Sequence, residues 1–479
     1  MANPEHLAQI EAGTWNRWRA ANPAIAPDLV DARLVGRDLR GLDLSKAHLR
    51  SADLSGARLE GTNLARATLQ SARLTGAVLT GAILDAVLLD FLDLAGLDLS
   101  ATSLVGCSLR GANLTKATLR GANLGNAQLE SAVFDGADLS GASFKGATLR
   151  GARFASATMR RVDASSAILD GLELQGLDLE GALFVDAQAP NAQLRGARLV
   201  GADFRRAILR GANLYGANLQ GAVLDDAQCE GASLDHANLE KASLVGTNLA
   251  RADLRKSSLL HARLEGCNLA DAHLAELDFR TPRMGRVSFA SADLCKCVFT
   301  RCNLKSADFR HANLDQADLS SATLDGANLH GANLSDANLR HASLQQADLG
   351  EATGAGADLS GTNMVLVKAG RCQMEGADFR FVDAVGIDLE RADLRWSDLR
   401  NADLTKANLG GVRLWGARVH KTKLPANMAH WQLILRLGQL VAGWQKMNEK
   451  MRAAREQKRI REVAELVRTR EAGRKRRPR

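Results

Sequence analysis

The 479-residue chain is long enough for two or three globular domains or for one extended repeat array. Aromatic residues make up only 4%, with a single Tyr, which argues against an ordinary close-packed globular core. The formal net charge of +8 is unevenly placed: residues 425–479 carry fifteen basic and five acidic side chains, whereas residues 29–424 carry 45 basic and 46 acidic, so the body offers no single-sign field.

The opening MANPEHLAQIEAG lacks a cationic stretch followed by an apolar run, which reads as no secretory signal. Residues 5–19 predict one short helix, stopped by Pro23 and Pro27. Within it Trp15 and Trp18, three apart, are suited to covering the first turn of the adjoining region and shielding its unpaired edge. Residues 1–28 are therefore expected to form an N-terminal helical cap.

From Leu29 to Leu424 an apolar residue recurs every five positions without a shift of register. Of these 80 positions 59 are Leu, ten Phe and four Met, and Ala stands two residues earlier in 52 units. A five-residue period makes no stripe on a helix and alternates faces on a straight strand. Within one unit, however, Ala and Leu share a face of a very short strand, and Gly two residues after the Leu (Gly36, Gly56, Gly111, Gly331) supplies the permissive φ of a turn. The pattern describes a coil lined by Leu and Ala that buries its open faces only against the coils above and below.

These units, as in GANLSDANLR at 331–340, resemble the pentapeptide repeat proteins, whose unit is A(D/N)LXX. The resemblance implies an all-β solenoid, a right-handed quadrilateral β-helix over residues 29–424 with four units per turn and Leu or Phe pointing inward. About 20 coils at a spacing of about 4.8 Å would make a rod about 95 Å long. The leader with its Trp-x-x-Trp-Arg also resembles the N-terminal segment of many bacterial members.

Several places depart from the pattern. Lining residues weaken over 159–164, 184–191 and 354–384, and Pro190 and Pro282 each delete an amide donor, so local bulges are expected there. Leu replaces the small Ala at Leu42, Leu92, Leu97, Leu172, Leu177 and Leu277, where the turns should be wider. Apolar residues at outward positions form two clusters, Leu88 with Phe91 and Val365 with Leu366 and Phe381. They are candidate docking patches or, equally, residues turned inward by local distortion.

After Leu424 the period changes. Leu433, Leu437, Leu440, Trp444, Met447 and Met451 follow at spacings of three and four and predict an α-helix longer than the N-terminal one, which covers the last coil or pairs with a second chain as a homodimer. Its apolar stretch is too short to span a bilayer. Beyond it the tail ending in Arg474, Lys475, Arg476 and Arg477 reads as disordered and suited to anionic surfaces, membrane or nucleic acid.

Little chemistry is legible. The eight His within the repeat fall at outward positions and no two are 20 residues apart, which argues against a metal site. Cys107, Cys267, Cys297, Cys302 and Cys372 occupy the small lining position and read as buried hydrophobes. No catalytic constellation, cofactor loop or metal motif stands out, so no enzyme activity and no cofactor are expected. Arg follows the Leu twelve times in alternate units, among acidic residues on the same sides, and reads as a mixed salt-bridged surface. The expected function is a non-catalytic scaffold or docking rod for a protein partner, in the cytoplasm. The resemblance also implies an alternative, a topoisomerase-binding mimic of DNA, which the neutral body opposes. A second alternative is tethering to nucleic acid or an anionic membrane through the basic tail.

Overall fold

The computed structural model describes residues 1–426. Parallel β-bridges join residues twenty apart along the repeat, from Asp28 with His48 to Asp403 with Lys423, and a regular turn contributes four of them. The body is thus a four-sided parallel β-helix in which each side is a three-residue strand and each corner a two-residue turn.

The unit explains its own geometry. The inward Leu and Ala are almost wholly buried, most at 0–4% exposure. The Asp or Asn between them faces outward, and its carboxyl or amide oxygen accepts the backbone N–H two residues on, as in Ser55 to Asp53 at 3.1 Å. The turn closes when the Ala amide donates to the preceding Leu carbonyl, as in Ala112 to Leu109 at 3.1 Å. Its third residue has positive φ at every unit from Asp31 to Lys421 except Thr281. Gly fills many of these corners, as expected, but non-glycine residues such as Phe91 and Trp396 hold φ of 58° and 62°.

Phenylalanines order the core where they occur. Phe279 and Phe299, one turn apart, stack at 4.7 Å and 6°, while Phe289 on the opposite side meets both edge-on. At Gly354, where the lining Leu is lost, the Met374 thioether from the next coil fills the space above the glycine.

The N-terminal segment forms two helices rather than the single one expected, α1 (Pro4–Glu11) and α2 (Trp15–Ala21), because Gly13 breaks the run at φ +67°. Together they satisfy the open edge of the first coil. The Trp15 indole N–H donates to the Asp43 carbonyl at 2.8 Å, Asn16 both accepts from the Asp43 amide and donates to Gly41, and His6 Nδ1 accepts from the Asp28 amide.

The expected bulges divide. Pro190 leaves its surroundings intact, with its carbonyl accepting from Gly171 at 2.9 Å, because the amide at that register does not enter the inter-coil ladder. Pro282 does open the coil: Thr281 loses its positive φ, and the bridge between Arg283 and Asn303 does not form. Among the described residues the register fails at four further pairs, Arg73 with Asp93, Arg153 with Glu173, Thr158 with Asp178 and Ser258 with Asp278. Each follows a Leu at the Ala position, namely Leu92, Leu172, Leu177 and Leu277. The wider turns expected at these leucines appear as opened ladders.

Candidate interaction surface

The lining leaves the outer corners and side faces to meet other molecules. Phe91 and Leu88 lie on one coil, 82% and 51% exposed, and the Phe91 ring rests over the Gly111 backbone, where an added Cβ would come within 2.7 Å of it. Near the other end Leu366 is 55% exposed and Val365 half-buried at one corner, with the Leu366 side chain over Gly386. Phe381 is exposed at the neighbouring corner of the next coil, one side away, so the second cluster is spread over two corners. These side chains point outward and are not turned into the core. Leu433, Leu437, Leu440, Trp444, Met447 and Met451, with Arg474, Lys475, Arg476 and Arg477, lie outside the described residues.

Sequence reasoning missed an aromatic pair at a third corner. The Trp396 and Trp415 rings meet edge-to-face at 4.3 Å, Trp396 covers Gly416, and Trp415 is two-thirds exposed. The two are 19 residues apart, and a comparison at intervals of 20 passes over them. At a corner, however, the first residue of one turn lies beside the second residue of the turn before it, as the Trp396 amide donating to the Trp415 carbonyl shows. The same offset places His311 beside His330, ring centroids 6.0 Å apart, which corrects the expectation that adjacent-coil histidines do not meet. Among the described residues no group of three or more His, Cys, Asp or Glu converges as metal ligands would.

The arginines of the alternate units are largely neutralised in place. Arg40, Arg280, Arg310 and Arg400 each pair with the Asp two residues earlier at 2.6–2.7 Å, and Arg150 reaches Asp170 one coil on at 2.8 Å. The surface is therefore a lattice of short-range ion pairs, each worth little by itself. Hydrogen bonding from Arg40 holds Asp38 at about 2, and Lys423 with Thr405 does the same for Asp403, both below the ordinary 3.8. Because the folded values lie below the unfolded one, their contribution to stability is present above about pH 4 and is lost as pH falls towards 2. Urea midpoints should thus be flat from about pH 7 to 5 and fall between about pH 4 and 2.

The thiols are withdrawn from chemistry. Burial pushes Cys107, Cys229, Cys297, Cys302 and Cys372 up to about 12, and Cys267 upward as well. Cys107 and Cys297 donate to the Leu84 and Leu274 carbonyls of the coil below. Only Cys295 sits at a corner, half-buried, and burial raises it too. Titration of the native protein with an aromatic disulfide near neutral pH should modify Cys295 first, and the other six only on unfolding.

Among the described residues no helix is long and apolar enough to cross a membrane. A family model described as pentapeptide repeats matches residues 28–184, 191–226, 302–368 and 372–411 in overlapping copies, and a second, described as a pentapeptide repeat region, matches 232–309. No curated protein matches the chain. Among solved structures it is similar to HetL, a pentapeptide repeat protein involved in heterocyst differentiation regulation from a Nostoc cyanobacterium. Identity is 30% over 56% of this chain and 96% of HetL, with a TM-score of 0.18. It is also similar to QnrB1, a plasmid-mediated fluoroquinolone resistance protein, at 22% identity over 43% of this chain and 84% of that one, with a TM-score of 0.19. A pentapeptide repeat protein of the Arabidopsis thaliana thylakoid lumen is 30% identical over 20% of this chain and 71% of its own, with a TM-score of 0.17. With its five-residue register, its twenty-residue turn and the family-model matches over most of the repeat, the chain belongs to the pentapeptide repeat family, and its body is a right-handed β-helix solenoid.

Proposed function

We propose that this protein is a non-catalytic docking rod of about twenty coils that holds a protein partner on apolar side chains presented at its corners. The observation that carries this reading is the placement of Phe91, Leu366 and Phe381 at the positive-φ corner position. A bulky L-residue there costs about 1–2 kcal/mol of backbone preference, and Gly takes that place in many units. Each of the three is also exposed, so neither backbone nor core gains from it. A partner that covers these side chains supplies the missing benefit.

The test is direct because glycine suits the same backbone. The combined Phe91→Gly, Leu366→Gly and Phe381→Gly variant should fold with equal or higher stability and lose a protein that co-purifies with the unaltered chain. An unchanged set of bound proteins would refute the reading. The basic tail, residues 452–479, is proposed as a separate attachment to anionic surfaces. Its deletion should abolish co-sedimentation with anionic vesicles or DNA that is present at low salt and weaker at high salt.

A further inference from the structure

Four of the leucines that replace Ala open the ladder, each on the same edge of its own coil. Leu92, Leu172, Leu177 and Leu277 each break the bridge to the preceding coil, while the bridges from Asp93, Glu173, Asp178 and Asp278 to the following coil all form. At Leu97 the bridge survives, stretched, with the Leu79 amide 3.2 Å from the Asp98 carbonyl. The direction has a physical cause. Most polar side chains at this position lean towards the coil below: the Thr62, Thr247 and Thr422 hydroxyls donate to the Leu carbonyl 23 residues earlier, at 2.6–2.8 Å, whereas Thr362 and Ser397 donate within their own turn. A leucine brings a branched end with no donor to offer that carbonyl, and beside these four the bridge to the coil below is lost.

Shape decides the outcome, not apolarity. Val162, Val367, Val382 and Ile387 occupy the same position, and the bridges beside them, Ser143 with Asp163, Asp348 with Lys368, Asn363 with Asp383 and Lys368 with Asp388, are all intact. Ile and Leu have the same atoms, so the branch point distinguishes Ile387, beside a closed ladder, from the four leucines beside open ones. The openings are also one-sided. Where Leu172 and Leu177 separate the coils along a pair of sides, the remaining pair stays joined by Ser143 with Asp163 and Thr148 with Ile168.

We propose that these leucines divide the rod at three built-in hinges, around residues 73–98, 153–178 and 258–283, each opening on one side while the opposite side stays bonded. The third is reinforced by Pro282, which loosens the next coil. With fewer bonds to break, each hinge opens more readily than the regular coils between them, so the rod bends at fixed places instead of uniformly. A long docking body with such hinges adjusts its curvature to a partner without melting any coil.

Native-state hydrogen exchange on the full chain tests this. The amides of Phe154, Met159, Glu173 and Asp178, which make no inter-coil bond, should exchange at least about tenfold faster than those of Leu194, Leu199, Asn213 and Asn218 in the regular ladder. Equal protection in the two regions overturns the proposal. The isomeric Leu172→Ile, Leu177→Ile variant should restore protection at the hinge to the level of the regular coils, and unchanged fast exchange in it counts against the wedge. Conversely, Ala212→Leu with Ala217→Leu should create a fourth fast-exchanging site at Leu194 and Leu199, whereas Ala212→Ile with Ala217→Ile should not. This second pair decides the matter even where the first variant fails to fold, and indistinguishable exchange in the Leu and Ile pairs would sink the idea.

Discussion

Replacing Phe299 by alanine is expected to lower the unfolding free energy by about 3–5 kcal/mol. The ring stacks on Phe279, meets Phe289 and Phe309 edge-on, and is fully buried. Its loss removes aromatic contact on three sides at once. On the side of Phe299 the Asp278–Val298 and Val298–Asp318 bridges tie the coils and limit their collapse into the void, so most of the cavity cost persists. In a solenoid each coil touches only its neighbours, so the loss should concentrate between residues 279 and 309. Urea denaturation followed by circular dichroism, with exchange mapping of that segment, measures it. A loss below about 1 kcal/mol would show that the stacked ring is not what holds these coils together.

Trp15→Ala is expected to cost about 3–5 kcal/mol locally and to fray the first coil first. Trp15 is 1% exposed, packs on Trp18 at 5.2 Å and donates to the Asp43 carbonyl. Without it the edge of the first coil presents unpaired backbone groups to water, the situation that end coils of solenoids must avoid. Exchange at the Leu29, Leu34, Leu39 and Leu44 amides, which bond to the second coil, should accelerate while that of Leu219 and Leu239 in mid-rod stays unchanged. Trp15→Phe should recover the packing and lose only the indole hydrogen bond, a difference of about 1 kcal/mol. Uniform acceleration along the whole rod would show that the leader is not a local cover.

The fold was legible because its information is local and repeated. Leu and Ala two residues apart name the inner face, the Asp or Asn between them names the outward residue that closes the turn, and the spacing of five never slips. Five of the six buried thiols were legible for the same reason, since their register alone assigns them to the small lining position, while Cys229 takes the place of a Leu. The outward placement of Phe91, Leu366 and Phe381 also follows from register. Their exposure does not, because it depends on what stands one coil away, such as the glycines at 111 and 386 on which Phe91 and Leu366 lie.

What stayed hidden lies between coils. The Trp396–Trp415 and His311–His330 neighbours come from an offset of 19 at the corners, which the geometry of the turn sets and the period of five does not. Pro190 and Pro282 carry the same missing amide, yet only one disturbs the rod, because the register decides whether that amide serves the turn or merely meets a side chain. The sequence by itself determined which residues line the rod and which face outward, since alternation along a short strand is a property of the chain. Only the tertiary structure decided where successive coils stay bonded and where a leucine separates them, since that depends on the direction in which a buried branch point meets the coil below.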